Sequence, residues 1–275
     1  MYAREGKDGR SMPKGPGVRR TSGRKPARVR LCERVVNGLK RENIKLVALD
    51  FDLTLVSIHT QGRWTGSAET LSKYLRPIFI ELISQCLRRD IVVAIVTYSQ
   101  QTELIARTLE HAMDASISPE YGRVLQNNIL LRGMDDTWSK PNITCLPSSW
   151  AAGCHVGGKM GHILAVVRQL TDHGTHFQRS TFSIRPENVL YFDDDIRNCE
   201  AIICNTQMRI CTAVVPVCFK GNIDDLIAKD LENRFVQNSK GSTGEFESLS
   251  LDFARGQASS AAGIRMHLTS FCSIS

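Results

Sequence analysis

The sequence predicts an α/β fold, a doubly wound parallel sheet of five strands in a Rossmann-like arrangement, with no large inserted cap domain. Two observations carry this reading. Apolar runs end near residues 50, 97, 131, 193 and 215, and apolar residues at helical spacing lie between them. The run 91–96, Ile-Val-Val-Ala-Ile-Val, is apolar throughout rather than alternating, as a strand covered on both faces of a parallel sheet must be.

The first strand, 45–49, runs into Asp50-Phe51-Asp52-Leu53-Thr54. Side chains alternate along an extended chain, so Asp50 and Asp52 leave the strand end on the same side. Ligands of open α/β sheets bind beyond the carboxyl ends of the strands, and two carboxylates with a hydroxyl there suit phosphoryl transfer. One can attack or bind metal while the other moves a proton. The pattern Asp-x-Asp-x-Thr also occurs in Ca²⁺ loops, but those need a later Gly and Glu between flanking helices, whereas an apolar strand precedes it here. A short flap then reaches Gly66 and carries His59, placed either to touch a substrate or to face solvent. Residues 67–89 have helical spacing, and Pro77 is expected to start a second helix there.

The second strand, 91–96, ends in the hydroxyl of Thr97, and a third is expected at 128–131. The fourth, 188–192, ends in Asp193-Asp194-Asp195, three acids that repel one another unless a cation is present. Asp195 is expected to cap the helix that follows, and Asn198 to orient the acidic loop or to sit on that helix. Between these strands, Gly157-Gly158-Lys159 opens a segment with Ile163, Leu164, Val166, Val167 and Leu170 at helical spacing. A helix start of this kind favours anions, and the ammonium of Lys159 adds charge; Lys140 lies in the same interval and is the alternative.

The series Asp50/Asp52/Thr54, Thr97, Lys159 and Asp193/Asp194 resembles the four motifs of the haloacid dehalogenase-like (HAD) superfamily, over residues 45 to about 215. An Asp two residues after the nucleophile marks the phosphatases of that superfamily, so Asp52 implies a phosphatase. The stretch 191–198 most resembles the capless magnesium-dependent phosphatase group. The resemblance implies that Asp50 attacks phosphorus, forming an aspartyl-phosphate, and that Asp52 serves as general acid and base. It implies further that Mg²⁺ is held by Asp50, the Asp52 backbone carbonyl and Asp193, that Thr97 and Lys159 bind the phosphate, and that Asp194 orients Lys159 or a metal-bound water.

The implied substrate is a protein phospho-residue or a small phosphoester. The 47 positions from Asp50 to Thr97 are consumed by the flap, helices and second strand, and 132–158 has room for a loop or small hairpin only. Trp64, Trp138 and Trp150 fall near the rim, where they grip a substrate or cover the core. Two other readings use the same residues: a non-catalytic HAD-fold protein whose basic arm binds nucleic acid or a partner, and a nucleic-acid-end phosphatase or phosphotransferase.

Charge divides the chain. Residues 1–40 hold twelve Lys and Arg against three acids, leaving 23 basic and 25 acidic residues elsewhere. The expected organisation is a disordered basic tail at 1–40, a phosphatase domain at 41–235 and a Ser-rich tail at 236–275. Arg19, Arg20, Arg24, Lys25, Arg28 and Arg30 suit a nuclear-localisation segment or an arm for nucleic acid or an acidic partner. Nine cysteines without Cys-x-x-Cys or zinc-like spacing, and no secretory or membrane-length apolar run, lead to an expectation of reduced thiols in cytoplasm or nucleus, away from membranes. Cys199, Cys204, Cys211 and Cys218 are expected in the core.

Overall fold

Leu46, Val47, Ala48 and Leu49 are all buried, which an extended run achieves only when both faces of its sheet are covered. In the computed structural model they form β1 (Leu46–Leu49), the centre of a five-stranded parallel sheet. The structure describes residues 25–114, 129–134, 158–172, 184–204, 210–215 and 222–237. Its other strands are β2 (Val92–Val96), β3 (Ile129–Arg132), β4 (Val189–Asp193) and β5 (Cys211–Val214), in the order β3-β2-β1-β4-β5. The expected parallel sheet of five strands is thus present. Leu46 pairs with Val92 on one side and Val189 on the other, and Leu49 with Ile95 and Phe192.

Alternation along the strands divides the core in two. Val47, Leu49, Val93, Ile95, Leu190 and Phe192 face a layer built from α1 (Ala27–Arg41), α3 (Pro77–Leu87), α4 (Thr102–Asp114) and α7 (Ile223–Glu232). Leu46, Ala48, Ala94, Val96, Val189 and Tyr191 face α5 (Gly158–Asp172) and α6 (Ile196–Cys204). A short helix, α2 (Ala68–Ser72), is capped by Ser67, whose hydroxyl accepts from the Thr70 amide at 3.1 Å. Pro77 opens α3 as expected, because a first-turn residue needs no N–H donor. No helix among the described residues is long and apolar enough to cross a membrane.

The N-terminal boundary differs from the sequence expectation. Residues 27–40, assigned there to a disordered basic tail, lie in α1, with Cys32, Val35, Val36 and Leu39 at most 1% exposed. The basic residues Arg28, Arg34 and Lys40 occupy the exposed face of the same helix, so a charge count over the whole segment hid an apolar stripe at helical period. The remainder of that basic tail, including Arg19, Arg20 and Arg24, and the Ser-rich tail from 238 onward lie outside the described residues. Cys199 is buried as expected; Cys218 and the side chains of Cys204 and Cys211 are likewise outside the described set.

The strand order places a topological switch between β1 and β4, since the chain builds outward through β2 and β3 before returning to the other side. Both strands end there in acids. Leu39→Ala should destabilise the fold by about 2–5 kcal/mol in urea unfolding, because the leucine is fully buried. Gly38→Ala should also lower stability, since its added Cβ would lie 2.1 Å from the Phe235 carbonyl oxygen. An α1 that tolerated both changes would be peripheral rather than core.

Candidate functional site

After β1 the backbone stays extended through Asp50 (φ −68°, ψ 162°) and then closes a tight turn over Phe51–Leu55, with the Val56 amide donating to the Phe51 carbonyl at 3.0 Å. Leu53 sits at φ 55°, a left-handed conformation that costs a residue with a Cβ about 1–2 kcal/mol. Arg76 holds the turn in that shape. Its Nε donates to the Thr54 carbonyl and its Nη2 to the Leu53 carbonyl, both at 3.1 Å, while its backbone amide donates to Leu55 O at 2.9 Å. The guanidinium is fixed because Arg76 is buried and directly precedes Pro77 at the start of α3.

This turn brings the end of β1 against the end of β4. Asp50 is buried and contacts the Lys159 ammonium, which also donates to the Val96 carbonyl at 2.9 Å. Asp193 is fully buried: its Oδ1 accepts from the Asp195 amide at 2.8 Å, and its Oδ2 from Asn198 Nδ2 at 2.9 Å and from the Tyr191 hydroxyl. Asp194 accepts from Thr54 Oγ1 at 3.3 Å. Carboxylate oxygens of Asp50, Asp193 and Asp194 lie within 4.8 Å of one another.

The electrostatics of this cluster are unbalanced. Burial, reinforced by Asp193, pushes the Asp50 carboxyl up to about 7 even though Lys159 draws it down. Burial likewise raises Asp193, against hydrogen bonds from its neighbours, and raises Asp194, where the charge of Asp193 adds to the effect. Three clustered carboxylates face one ammonium, and an all-oxygen donor set of this kind could hold a hard metal cation. A carboxylate has about four lone-pair positions, and the three bonds to Asp193 leave one of them, on Oδ1, for such an ion.

Asp52 takes a different direction. Its Oδ1 accepts from the Thr60 amide at 2.8 Å and its Oδ2 lies 3.3 Å from His59 Nδ1, so the flap folds back onto this carboxylate. It stands outside the metal-competent cluster. Thr97 ends β2 fully buried, and its oxygen accepts from the Ser99 amide at 3.1 Å, which leaves the hydroxyl hydrogen to donate elsewhere. Gly158 begins α5 at φ 61° and sets Lys159 at its first turn.

The structure therefore brings together Asp50, Thr97, Lys159, Asp193 and Asp194 at the carboxyl edge, with Asp52 beside them in the turn after β1. Of the two roles expected of Asp194, orienting Lys159 has no bond behind it, since the ammonium's bonds go to Asp50 and Val96; the acidic loop turns its carboxylate toward Thr54 and sets it with Asp50 and Asp193, where a metal ion could sit. Asp195 caps α6 as expected, its Oδ1 accepting from the Arg197 amide at 2.9 Å. Lys140, Trp138 and Trp150 lie outside the described residues.

Two residues of this region had no sequence signal. Arg76 is one. Gln101 is the other: its side-chain amide accepts from the Trp64 amide at 2.7 Å and donates to the Trp64 carbonyl at 2.8 Å, pinning the flap to the loop after β2. Both act across more than twenty positions of chain, which no local pattern reports. Trp64 itself packs edge-on against Tyr74 at 5.9 Å. No family model, curated protein or solved structure matches this chain.

Two outcomes are expected. The folded Asp50 value lies above the ordinary 3.8, so without a cation the folded state holds the extra proton and loses stability as pH rises from 3.8 to about 7. A cation competes with that proton, so the Tm gain on adding Mg²⁺, Mn²⁺ or Ca²⁺ should grow across this window and vanish in Asp193→Asn. A gain that is independent of pH, or that survives the substitution, would remove the cluster as a cation site. Arg76→Met should cost about 3 kcal/mol in urea unfolding by stranding two backbone carbonyls, and Arg76→Lys should recover only part, lacking the planar fork.

Proposed function

We propose that this chain is a Mg²⁺-dependent phosphomonoesterase of the HAD type, working through an aspartyl-phosphate on Asp50 and acting on a protein phospho-residue or a small phosphoester. The observation that carries the reading is the convergence of buried Asp50, Asp193 and Lys159 with half-buried Asp194 at the β1/β4 switch point, with Asp52 held apart in the turn after β1. A scaffold has no need to bury two acids and a lysine beside a third, half-buried acid, since each is costly to desolvate.

In this reading Asp50 attacks phosphorus through a carboxylate oxygen. The phosphorus–oxygen bond to the leaving group breaks as Asp52 gives that oxygen a proton. Water then attacks the phosphoryl group, Asp52 takes the water's proton, and the bond from Asp50 to phosphorus breaks to free inorganic phosphate and restore the carboxylate. The Thr60 amide fixes the Asp52 carboxylate so that one group serves both proton transfers. Lys159 neutralises the transferring group, moving from Asp50 to a phosphoryl oxygen, and the Thr97 hydroxyl donates to another. Mg²⁺, held by Asp50, Asp193, Asp194 and the Asp52 carbonyl, would supply charge neutralisation to the phosphoryl oxygens.

The choice of substrate rests on what covers the site. Between β1 and β2 there is only the flap with α2 and α3; the flap is anchored by the Val56–Leu75 bridge and by Gln101, so no inserted domain closes over a small molecule from that side. An open site of this form suits a phosphate displayed on a larger molecule.

Purified protein should release para-nitrophenol from its phosphate ester with Mg²⁺ and not with EDTA. Asp50→Asn should abolish release. Asp52→Asn should slow it by about 10²–10⁴-fold, and more for alkyl than for aryl phosphates, because poorer leaving groups need the proton more. Full activity in Asp50→Asn would sink the proposal.

A further inference from the structure

Tyr98 follows the buried Thr97 and precedes the buried Ser99, yet it is 49% exposed. A large aromatic left half in water is not there to fill the interior, so its contacts are the more informative. Its ring centroid lies 4.5 Å from the Lys159 ammonium. The ring edge meets the ring of His162 at 5.8 Å and 75°. Burial raises the phenol's pKa, while the Lys159 backbone beside it draws it down. That approach depends on Gly158, where an added Cβ would lie 3.0 Å from the Tyr98 hydroxyl. The ring is therefore fixed at the start of α5, against the next turn of that helix, and beside the ammonium.

We propose that Tyr98 is a positioning residue for Lys159: its ring walls the ammonium off from solvent and confines it between the Asp50 carboxylate and the Val96 carbonyl. A lysine side chain has four rotatable stem bonds and a strongly hydrated head, and left to itself would spread over many positions. Here the side chain of Lys159 is only 3% exposed, whereas the ring beside it faces water. The carboxylate, the carbonyl and the ring face bound the ammonium on three sides. A phosphoryl group that reached Asp50 would meet there a charge already aimed and partly desolvated. Any aromatic ring at 98 can do this; the hydroxyl only seats the ring on the helix start.

This inference rests on the phosphate-neutralising role given to Lys159 above. Its test is therefore made in two arms, one of which needs no turnover. In the first, kcat/KM for para-nitrophenyl phosphate with Mg²⁺ is measured for Tyr98→Leu, Tyr98→Phe, Lys159→Ala and the Tyr98→Leu/Lys159→Ala double variant. Tyr98→Leu should lose about tenfold, the size of a partly desolvated cation–π contact. Tyr98→Phe should keep most of the activity, and Tyr98→Leu should add nothing once Lys159 is gone. In the second arm, brief labelling with acetic anhydride and peptide mass mapping should find Lys159 protected in the wild type and in Tyr98→Phe, and several-fold more reactive in Tyr98→Leu. Equal losses in Leu and Phe variants, additive losses in the double variant, or unchanged Lys159 reactivity would overturn the assignment. Protection that behaves as expected in protein that hydrolyses no phosphoester would uphold the positioning and defeat the phosphatase reading instead.

Discussion

The structure turns on an incompletely balanced charge at the β1/β4 switch. Two buried carboxylates, a half-buried third and one buried ammonium gather at the carboxyl edge of the sheet, where parallel strands and their helices leave a crevice. Burying such groups is tolerable only when each finds partners. Tyr191, Asn198 and the Asp195 amide converge on Asp193, Thr54 serves Asp194, and Lys159 serves Asp50. All three acids are still held above their ordinary range, so the site favours either protons or a cation. Polar groups that would weaken an ordinary core could here hold a cation.

Rigidity is supplied from outside the site. Leu53 is kept left-handed by Arg76, which reaches the loop from the head of α3, and the flap is closed by the Val56–Leu75 bridge and the Gln101 amide. Asp52 inherits this order through its bond from the Thr60 amide. A carboxylate on a loop pinned at both ends keeps one orientation, which is what a proton-transfer role, as proposed, would require.

The strands were legible because parallel, doubly covered strands must be apolar throughout, and their ends because acids and hydroxyls interrupt those runs at 50, 97 and 193. Lys159 was legible from Gly158, whose positive φ opens α5. What escaped were contacts between distant positions. Arg76 and Gln101 look like surface residues in sequence, yet each makes two bonds to backbone of another segment. Helix α1 was hidden by its outward charge, although Leu31, Val35 and Leu39 recur every four residues. Strand alternation put Asp50 and Asp52 together; in the structure their carboxylates meet different partners, Lys159 and the Thr60 amide, and Asp194 takes a place among the clustered acids.

The most direct test of the account is to trap the covalent intermediate. Protein quenched in acid during turnover of a phosphoester with Mg²⁺ would be reduced with borohydride, which converts an acyl phosphate on aspartate to homoserine, and mapped by mass spectrometry. The mass change should appear in the peptide carrying Asp50, at that residue, and be lost when EDTA is present. Turnover with Asp50 unmodified, or the label on another side chain, would contradict it.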